Sequence, residues 1–413
     1  MEARIRRSIL SGSASPPPSL PLARRAILAA SLSPCAQSVI SGLPENSQEI
    51  AAMVSACRAF GADIVYDRGV ADIFGIEALV FPKQVDCGQS SQALRLLLPL
   101  ASLLDSQTTF AGNGGRVSIL PILAYFESLG AECGSEGDFL PVKIKGPVEE
   151  TELVCPWRIG SGIVSGLLLA LPLRGVDSEL GLDGSFTGAE HIDATISLLS
   201  RCGMAVERPI EEIIHIEGGQ EYSPLKDFEV PKSAYLSSFP LLAGALCGKV
   251  TAAGSKADSR LIALMESFGA GFSAGEKSSS ASAGALSATD VDCLQAGIYM
   301  PHAVLLASLA DGTSVFSNYG KLRGVVGARA RLLIRELGKM GIRTEENEES
   351  LRIEGGDLSG AALDPSGDAA VAMLLSLAAL CARGESTLAG AECVDKGYPG
   401  FLRSLASLGA LIR

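Results

Sequence analysis

The stretch Leu261-Ile262-Ala263-Leu264-Met265-Glu266-Ser267-Phe268-Gly269-Ala270 decides the fold. Leu261, Leu264, Met265 and Phe268 fall at helical spacing, and a glycine just past such a helix is the left-handed stop that ends it. The same ending, an apolar residue, Gly and an apolar residue, recurs as Phe60-Gly61-Ala62, Leu129-Gly130-Ala131, Cys202-Gly203-Met204, Met340-Gly341-Ile342 and Leu408-Gly409-Ala410. Successive glycines are 69, 73, 66, 72 and 68 residues apart. Six copies at so even a spacing predict six repeated units.

A second signal keeps step with the first. Ala- and Leu-rich segments, apolar nearly all round, start near Leu22, Ser91, Ser161, Ala234, Tyr299 and Asp368. A helix without a polar face must be buried on all sides, whereas the helices that end in Gly keep a polar face for solvent. Strand-like runs such as Glu77–Phe81 and Thr251–Ala253 lie between them. Each unit therefore reads helix, strand, helix, strands. The expected class is α/β (α+β), with three units in each of two domains and the helices inside; one continuous solenoid of six repeats is the alternative.

Composition agrees. Apolar residues make up 47% of the 413, charged residues 19% and aromatics only 5%, with a mean hydropathy of +0.30. That excludes disorder, which needs low hydrophobicity and high net charge, and small side chains suit closely packed buried helices. The longest uncharged stretches, Ser233–Gly248, Ile159–Leu173 and Cys293–Ala310, are short for a membrane span and carry Ser, Gly, Pro, Gln or His. Arg4, Arg6 and Arg7 imitate the start of an export signal, but Pro- and Ser-rich sequence follows, and Arg24 and Arg25 interrupt the only apolar candidate. An unexported, cytoplasmic chain is expected, as a monomer. Ten cysteines without a close pair and three histidines predict neither zinc nor a disulfide framework. A net charge of −12 argues against nucleic acid. It leaves room for a small anion, because a local arginine cluster overrides the global sign.

The starts of the buried helices supply such a place. Unpaired N–H groups there favour anions, and Gly and Ser allow close approach. The second helix begins Cys87-Gly88-Gln89-Ser90-Ser91 with Arg95 one turn on. The third begins Arg158-Ile159-Gly160-Ser161-Gly162, and the sixth Pro365-Ser366-Gly367-Asp368. The first is entered through Pro16-Pro17-Pro18-Ser19 and carries Arg24 and Arg25. Ordinary capping explains any one of these; together, in a chain poor in cations, they point to anion binding.

These segments resemble a known family. Gly88-Gln89-Ser90-Ser91-Gln92-Ala93-Leu94-Arg95 is similar to the G-N-A-G-T-A-x-R motif of 5-enolpyruvylshikimate-3-phosphate (EPSP) synthases, and Pro18–Ala26 to their G-S-K-S-x-x-N-R-A segment. Gly160-Ser161-Gly162 falls where they carry S-S-Q, Asp368–Met373 where they carry D-H-R-M-A-M, and Cys393-Val394-Asp395-Lys396-Gly397-Tyr398-Pro399 resembles their C-x-x-K-x-F/Y-P. The resemblance implies a two-domain inside-out α/β barrel of six repeats that binds phosphoenolpyruvate and shikimate 3-phosphate, with no metal or organic cofactor, its domains at 15–230 and at 1–14 with 231–413 and the chain crossing between them near Ser13–Pro18 and Asp227–Ser233. It implies that Arg25 holds the shikimate carboxylate, Ser161 the 3-phosphate, and Arg329 and Lys396 the phosphoenolpyruvate, with Gln89, Ser91 and Arg95 among the substrate contacts.

The chain also departs from the family. Leu20-Pro21 replaces a Lys-Ser pair, His302 stands at the catalytic aspartate, and Val326 stands at the acid/base glutamate of K-E-T-D-R, here Val325-Val326-Gly327-Ala328-Arg329. Ala370 and Leu120 replace two phosphoenolpyruvate arginines, with Arg116 placed to compensate for the second. General acid–base groups contribute typically ~10²–10⁴-fold, and His302 is the candidate that remains. Enolpyruvyl transfer to the 5-hydroxyl of shikimate 3-phosphate is one expectation; a catalytically impaired paralogue that binds or regulates is the other. A third, transfer to an amino-sugar nucleotide, would involve a cysteine near the second repeat, where Cys133 stands.

Overall fold

The structure is a computed structural model that describes the chain except for residues 35, 46, 78, 114–117, 185–187 and 323. The chain forms two compact units, Pro18–Val230, and Met1–Pro17 together with Pro231–Arg413. Each is built from three repeats around its own apolar core.

In the first unit the buried helices are Leu20–Ser31, Ser91–Ala101 and Gly160–Ala170; in the second they are Ala234–Cys247, Met300–Leu309 and Ala369–Cys381. Every residue from Ala370 to Leu380 is buried, as a helix apolar on all sides requires. Close packing sets the composition. A Cβ on Gly166 would stand 2.7 Å from the Leu96 carbonyl oxygen and 2.8 Å from Pro99, so the second and third helices touch through backbone. The outer helices Gln48–Ala59, Leu120–Ser128, Ala189–Arg201, Ser259–Ser267, Gly324–Lys339 and Phe401–Ser407 each precede one of the six repeating glycines. All six glycines have positive φ, between 77° at Gly203 and 110° at Gly409, the conformation that stops a helix at little cost only in glycine.

Each repeat contributes a four-stranded sheet. Around four of the buried helices the flanking strands pair in parallel, as Gln84–Asp86 does with Thr108–Ala111, and two antiparallel strands complete the sheet; the strands flanking Leu20–Ser31 and Ala234–Cys247 pair elsewhere. Both units close by borrowing. Asp227–Glu229 pairs with Gln37–Ser41, so the last strand of the first unit completes its first sheet. In the second unit Leu10–Ala14 pairs with Gly248–Ala253, and Glu2–Arg6 lies between Glu385–Ala389 and Leu411–Ile412.

One expected strand is absent. Glu77 and Leu79–Phe81 are irregular, and the strand lies later, at Gln84–Asp86. Pro82 offers no N–H to a ladder, and Leu79 packs against the core while Phe81 is exposed. Ala78 is outside the described residues. Thr251–Ala253 does lie in the strand Gly248–Ala253. Among the described residues no helix is long and apolar enough to cross a membrane.

Candidate functional site

In the unit Pro18–Val230, the starts of the three buried helices are tied together by arginines. Ser19 caps the first helix and Ser90 the second, through bonds from Leu22 N–H at 3.4 Å and Ala93 N–H at 3.0 Å. The third opens at Gly160, φ +78°, without a side-chain cap. Arg95 donates to the Ile159 carbonyl at 3.0 Å and so spans the second and third starts. Arg24 donates to Glu49 at 2.9 Å, and the Ser90 hydroxyl donates to the same carboxylate oxygen.

Arg25 is the most enclosed of these cations, 2% exposed. Its Nε donates to Thr195 Oγ1, one terminal nitrogen to Ser165 Oγ and the other to the Pro21 carbonyl, each at 2.8 Å. All three acceptors are neutral. Burial, reinforced by the charge of Arg24 and opposed by Glu190, brings its pKa down to about 9, so it stays cationic at neutral pH. His191, one helical turn before Thr195, is pushed down to about 4 by burial and then by the charges of Arg25 and Arg24. It is therefore neutral. A Cβ on Gly188 would come within 3.0 Å of Ser161 Oγ and 3.2 Å of the His191 ring, so glycine there lets the chain pass close to both. Ser161 is buried, Ser91 is the half-buried first residue of its helix, and Gln89 is exposed.

In the other unit, Arg329 and Lys396 both lie near the start of the helix Ala369–Cys381. Arg329 Nε donates to the two Asp368 oxygens at 3.1 and 2.9 Å. Asp368 also caps the helix, accepting from Ala370 N–H at 2.9 Å and Val371 N–H at 3.0 Å. The turn Ala391–Lys396 packs there too, with Gly397 against Ala369 and the Cys393 thiol donating to the Asp368 carbonyl at 3.8 Å. Lys396 itself is exposed.

His302 has a different setting. It is wholly buried, ringed by Tyr235, Phe239 and Tyr299, with Nε2 2.7 Å from Ser238 Oγ. The Ser238 proton goes to the Tyr235 carbonyl, so Nε2 carries the imidazole proton and donates. Nδ1 holds a lone pair and has no hydrogen-bond partner among the described residues. Burial, assisted by the charge of Arg329, brings the ring down to about 3. Leu120 is exposed, Val326 is half-buried against the core, Ala370 is buried, and Arg116 is outside the described residues. Cys133 is half-buried, its thiol raised to about 11, first by burial and then by Glu127. No three His, Cys, Asp or Glu among the described residues group to hold a metal.

Sequence reasoning missed Ser165, Thr195, His191 and Glu49. The one local signal was His191 and Thr195, four apart on the face that carries Ile192, Leu198 and Leu199.

Compared with known proteins, the profile of the family EPSP synthase (3-phosphoshikimate 1-carboxyvinyltransferase) matches residues 6–405. The chain belongs to the EPSP synthase family. It is 32% identical to the 3-phosphoshikimate 1-carboxyvinyltransferase of Methanocella arvoryzae over the whole of both chains. It is 30% identical to that of Clostridium perfringens (strain 13 / Type A), over 98% of each. Among solved structures, an EPSP synthase from Acinetobacter baumannii superimposes with a TM-score of 0.84 at 20% identity, over 100% of this chain and 99% of that one. The enolpyruvyl transferase NikO from Streptomyces tendae gives 0.77 at 19%, over 100% and 98%. These likenesses establish the two-domain inside-out α/β fold of EPSP synthases, and family membership makes the chain a transferase of the 3-phosphoshikimate 1-carboxyvinyltransferase type.

Within that EPSP synthase frame, the unit Pro18–Val230 offers a buried cation with neutral partners beside helix starts, an arrangement suited to an anionic ligand. In the other unit the carboxylate of Asp368 already occupies Arg329.

Proposed function

We propose that the protein transfers the enolpyruvyl group of phosphoenolpyruvate to the 5-hydroxyl of shikimate 3-phosphate and releases phosphate. The Arg25 cradle carries the reading. Among the described residues this buried guanidinium hydrogen-bonds to Ser165, Thr195 and the Pro21 carbonyl, and Glu190 acts on it through charge alone, so it lacks the directly bonded counter-charge that burial of a cation calls for. The acceptor's carboxylate supplies it, and Arg25 keeps N–H donors to spare. Ser161 and the helix starts bearing Gln89, Ser91 and Arg95 receive the 3-phosphate, while Arg329 and Lys396 receive phosphoenolpyruvate.

In the transfer, the 5-hydroxyl oxygen bonds to C2 of phosphoenolpyruvate while its proton leaves and the methylene carbon gains one. The bond from C2 to the phosphate oxygen then breaks, and the methyl carbon gives up a proton to restore the double bond. His302 is the candidate for proton transfer, through the lone pair on Nδ1. The protein acts in the cytoplasm as a monomer; equilibrium sedimentation checks the monomeric mass, and cell fractionation the location.

A second reading rests on His302 as well. A ring 0% exposed and held near 3 is a weak base, which favours a paralogue that binds the acceptor without turnover. The experiment is phosphate release by purified protein with both substrates, alongside growth of a synthase-deficient strain carrying the gene. Release above buffer with restored growth supports the first reading. Release no faster than buffer, with calorimetric binding of shikimate 3-phosphate, selects the second, and absence of both removes the two together.

A further inference from the structure

Away from these helix starts, at the opposite ends of the buried helices in the unit formed by Met1–Pro17 and Pro231–Arg413, two thiols face each other. Cys247 is the last residue of the helix Ala234–Cys247 and Cys381 the last of Ala369–Cys381. Their sulfurs are 3.1 Å apart and unbonded. Both line a cavity of about 480 Å³, together with Arg7, Ala245, Asp311 and Gly355. Cys381 is the more exposed of the pair, Cys247 being 9% exposed.

Pairing of cysteines from the ends of two helices 134 residues apart in sequence is a long-range contact that neither helix needs for its own stability. Buried cysteines ordinarily pack singly as small hydrophobes. Here one sulfur donates to the other, and the cavity gives a small reagent access. Arg7 contributes positive charge at the same place. It opposes the upward shift of the Cys247 thiol, which comes first from the hydrogen bond to Cys381 and then from burial.

We propose that Cys247 and Cys381 form a reversible redox site, converted to an intramolecular disulfide by a small anionic disulfide of the glutathione type that enters this cavity beside Arg7. Cys381 gives its proton to solvent and its thiolate attacks one sulfur of the small disulfide, forming a mixed disulfide and expelling one small thiolate. Cys247 then loses its proton and attacks the Cys381 sulfur, expelling the second. The protein gives up two electrons and two protons, and the small disulfide is reduced to two thiols. The product fastens the first buried helix of the unit to the third, which restricts the unfolded chain.

The test is the native full-length protein incubated with excess oxidised glutathione, followed by thiol titration, non-reducing peptide mapping and thermal melting. The expected result is loss of two thiols, a Cys247–Cys381 linked peptide, and a melting temperature raised by several degrees, all reversed by dithiothreitol. Cys247→Ser is expected to stop at a glutathione adduct on Cys381, and Cys381→Ser to leave Cys247 unmodified. Thiols that stay titratable in the native wild-type protein would overturn the proposal. So would adducts spread at comparable rates over the other cysteines, or a Cys381→Ser protein that loses the Cys247 thiol at the wild-type rate. If either variant fails to fold, the wild-type peptide map alone decides.

Discussion

Arg25 is where one side chain carries most of the proposed recognition. Its partners Ser165 and Thr195 stand 140 and 170 residues away in sequence. Replacing Arg25 by Ala is expected to weaken binding of shikimate 3-phosphate roughly 10- to 100-fold, the worth of a charged hydrogen bond, as measured by calorimetry. Lysine at this position is expected to recover only part, since it cannot reproduce the planar fork that Ser165 and Thr195 orient. Arg25 was legible because it sits in a contiguous motif; its cradle was not, because nothing in a linear sequence announces which distant hydroxyls will meet it.

Two histidines predict a pH dependence at the same scale. His302 and His191 have an ordinary value of 6.5 and folded values of about 3 and about 4. Below 6.5 the unfolded chain therefore binds protons that the folded chain refuses, and stability falls as pH drops from 6.5 toward 4. Denaturant unfolding across that range is expected to show the decline, and His302→Gln to flatten part of it. An unchanged slope in the variant would remove His302 as a cause.

At the scale of elements, the glycines divide by function. Gly166 has ordinary helical backbone but no room for a side chain, so Gly166→Ala is expected to cost about 1–3 kcal/mol by forcing the second and third helices of its unit apart. Gly269 has a φ of +89°, and a Cβ there would meet the Ala285 carbonyl at 2.9 Å. Alanine at 269 is expected to cost about 1–2 kcal/mol for the left-handed backbone alone. Chemical denaturation of both variants checks the two figures. The αL stops are why the six repeats could be read from sequence, since a conformation open to glycine at little cost leaves a visible mark. The two-residue strands Val291–Asp292 and Ala362–Leu363 leave none, and the apolar run at 77–81 misled because packing against a core and pairing in a sheet draw on the same side chains.

At the scale of the whole molecule, the borrowed strands give the two units different requirements. Pro18–Val230 contains every strand of its three sheets, since Asp227–Glu229 completes the sheet begun at Gln37–Ser41. Expressed alone, it is expected to fold and to unfold in one cooperative transition by circular dichroism. The segment Pro231–Arg413 alone lacks the strands Glu2–Arg6 and Leu10–Ala14 and is expected to be poorly folded until a peptide covering residues 1–17 is supplied.

Those two strands also bear on how the protein is made. A ribosome releases Glu2–Arg6 and Leu10–Ala14 first, yet the strands they pair with begin at Gly248 and end at Ile412. At roughly 5–20 residues per second, they wait on the order of tens of seconds with their backbone unpaired while Pro18–Val230 folds behind them. The serines and glycine of Leu10-Ser11-Gly12-Ser13-Ala14 and the arginines of Glu2–Arg6 suit that interval, because segments so polar have little tendency to pair with the wrong neighbour. The polarity of these two strands thus suits the time they spend unpaired as well as the sheets they finally join.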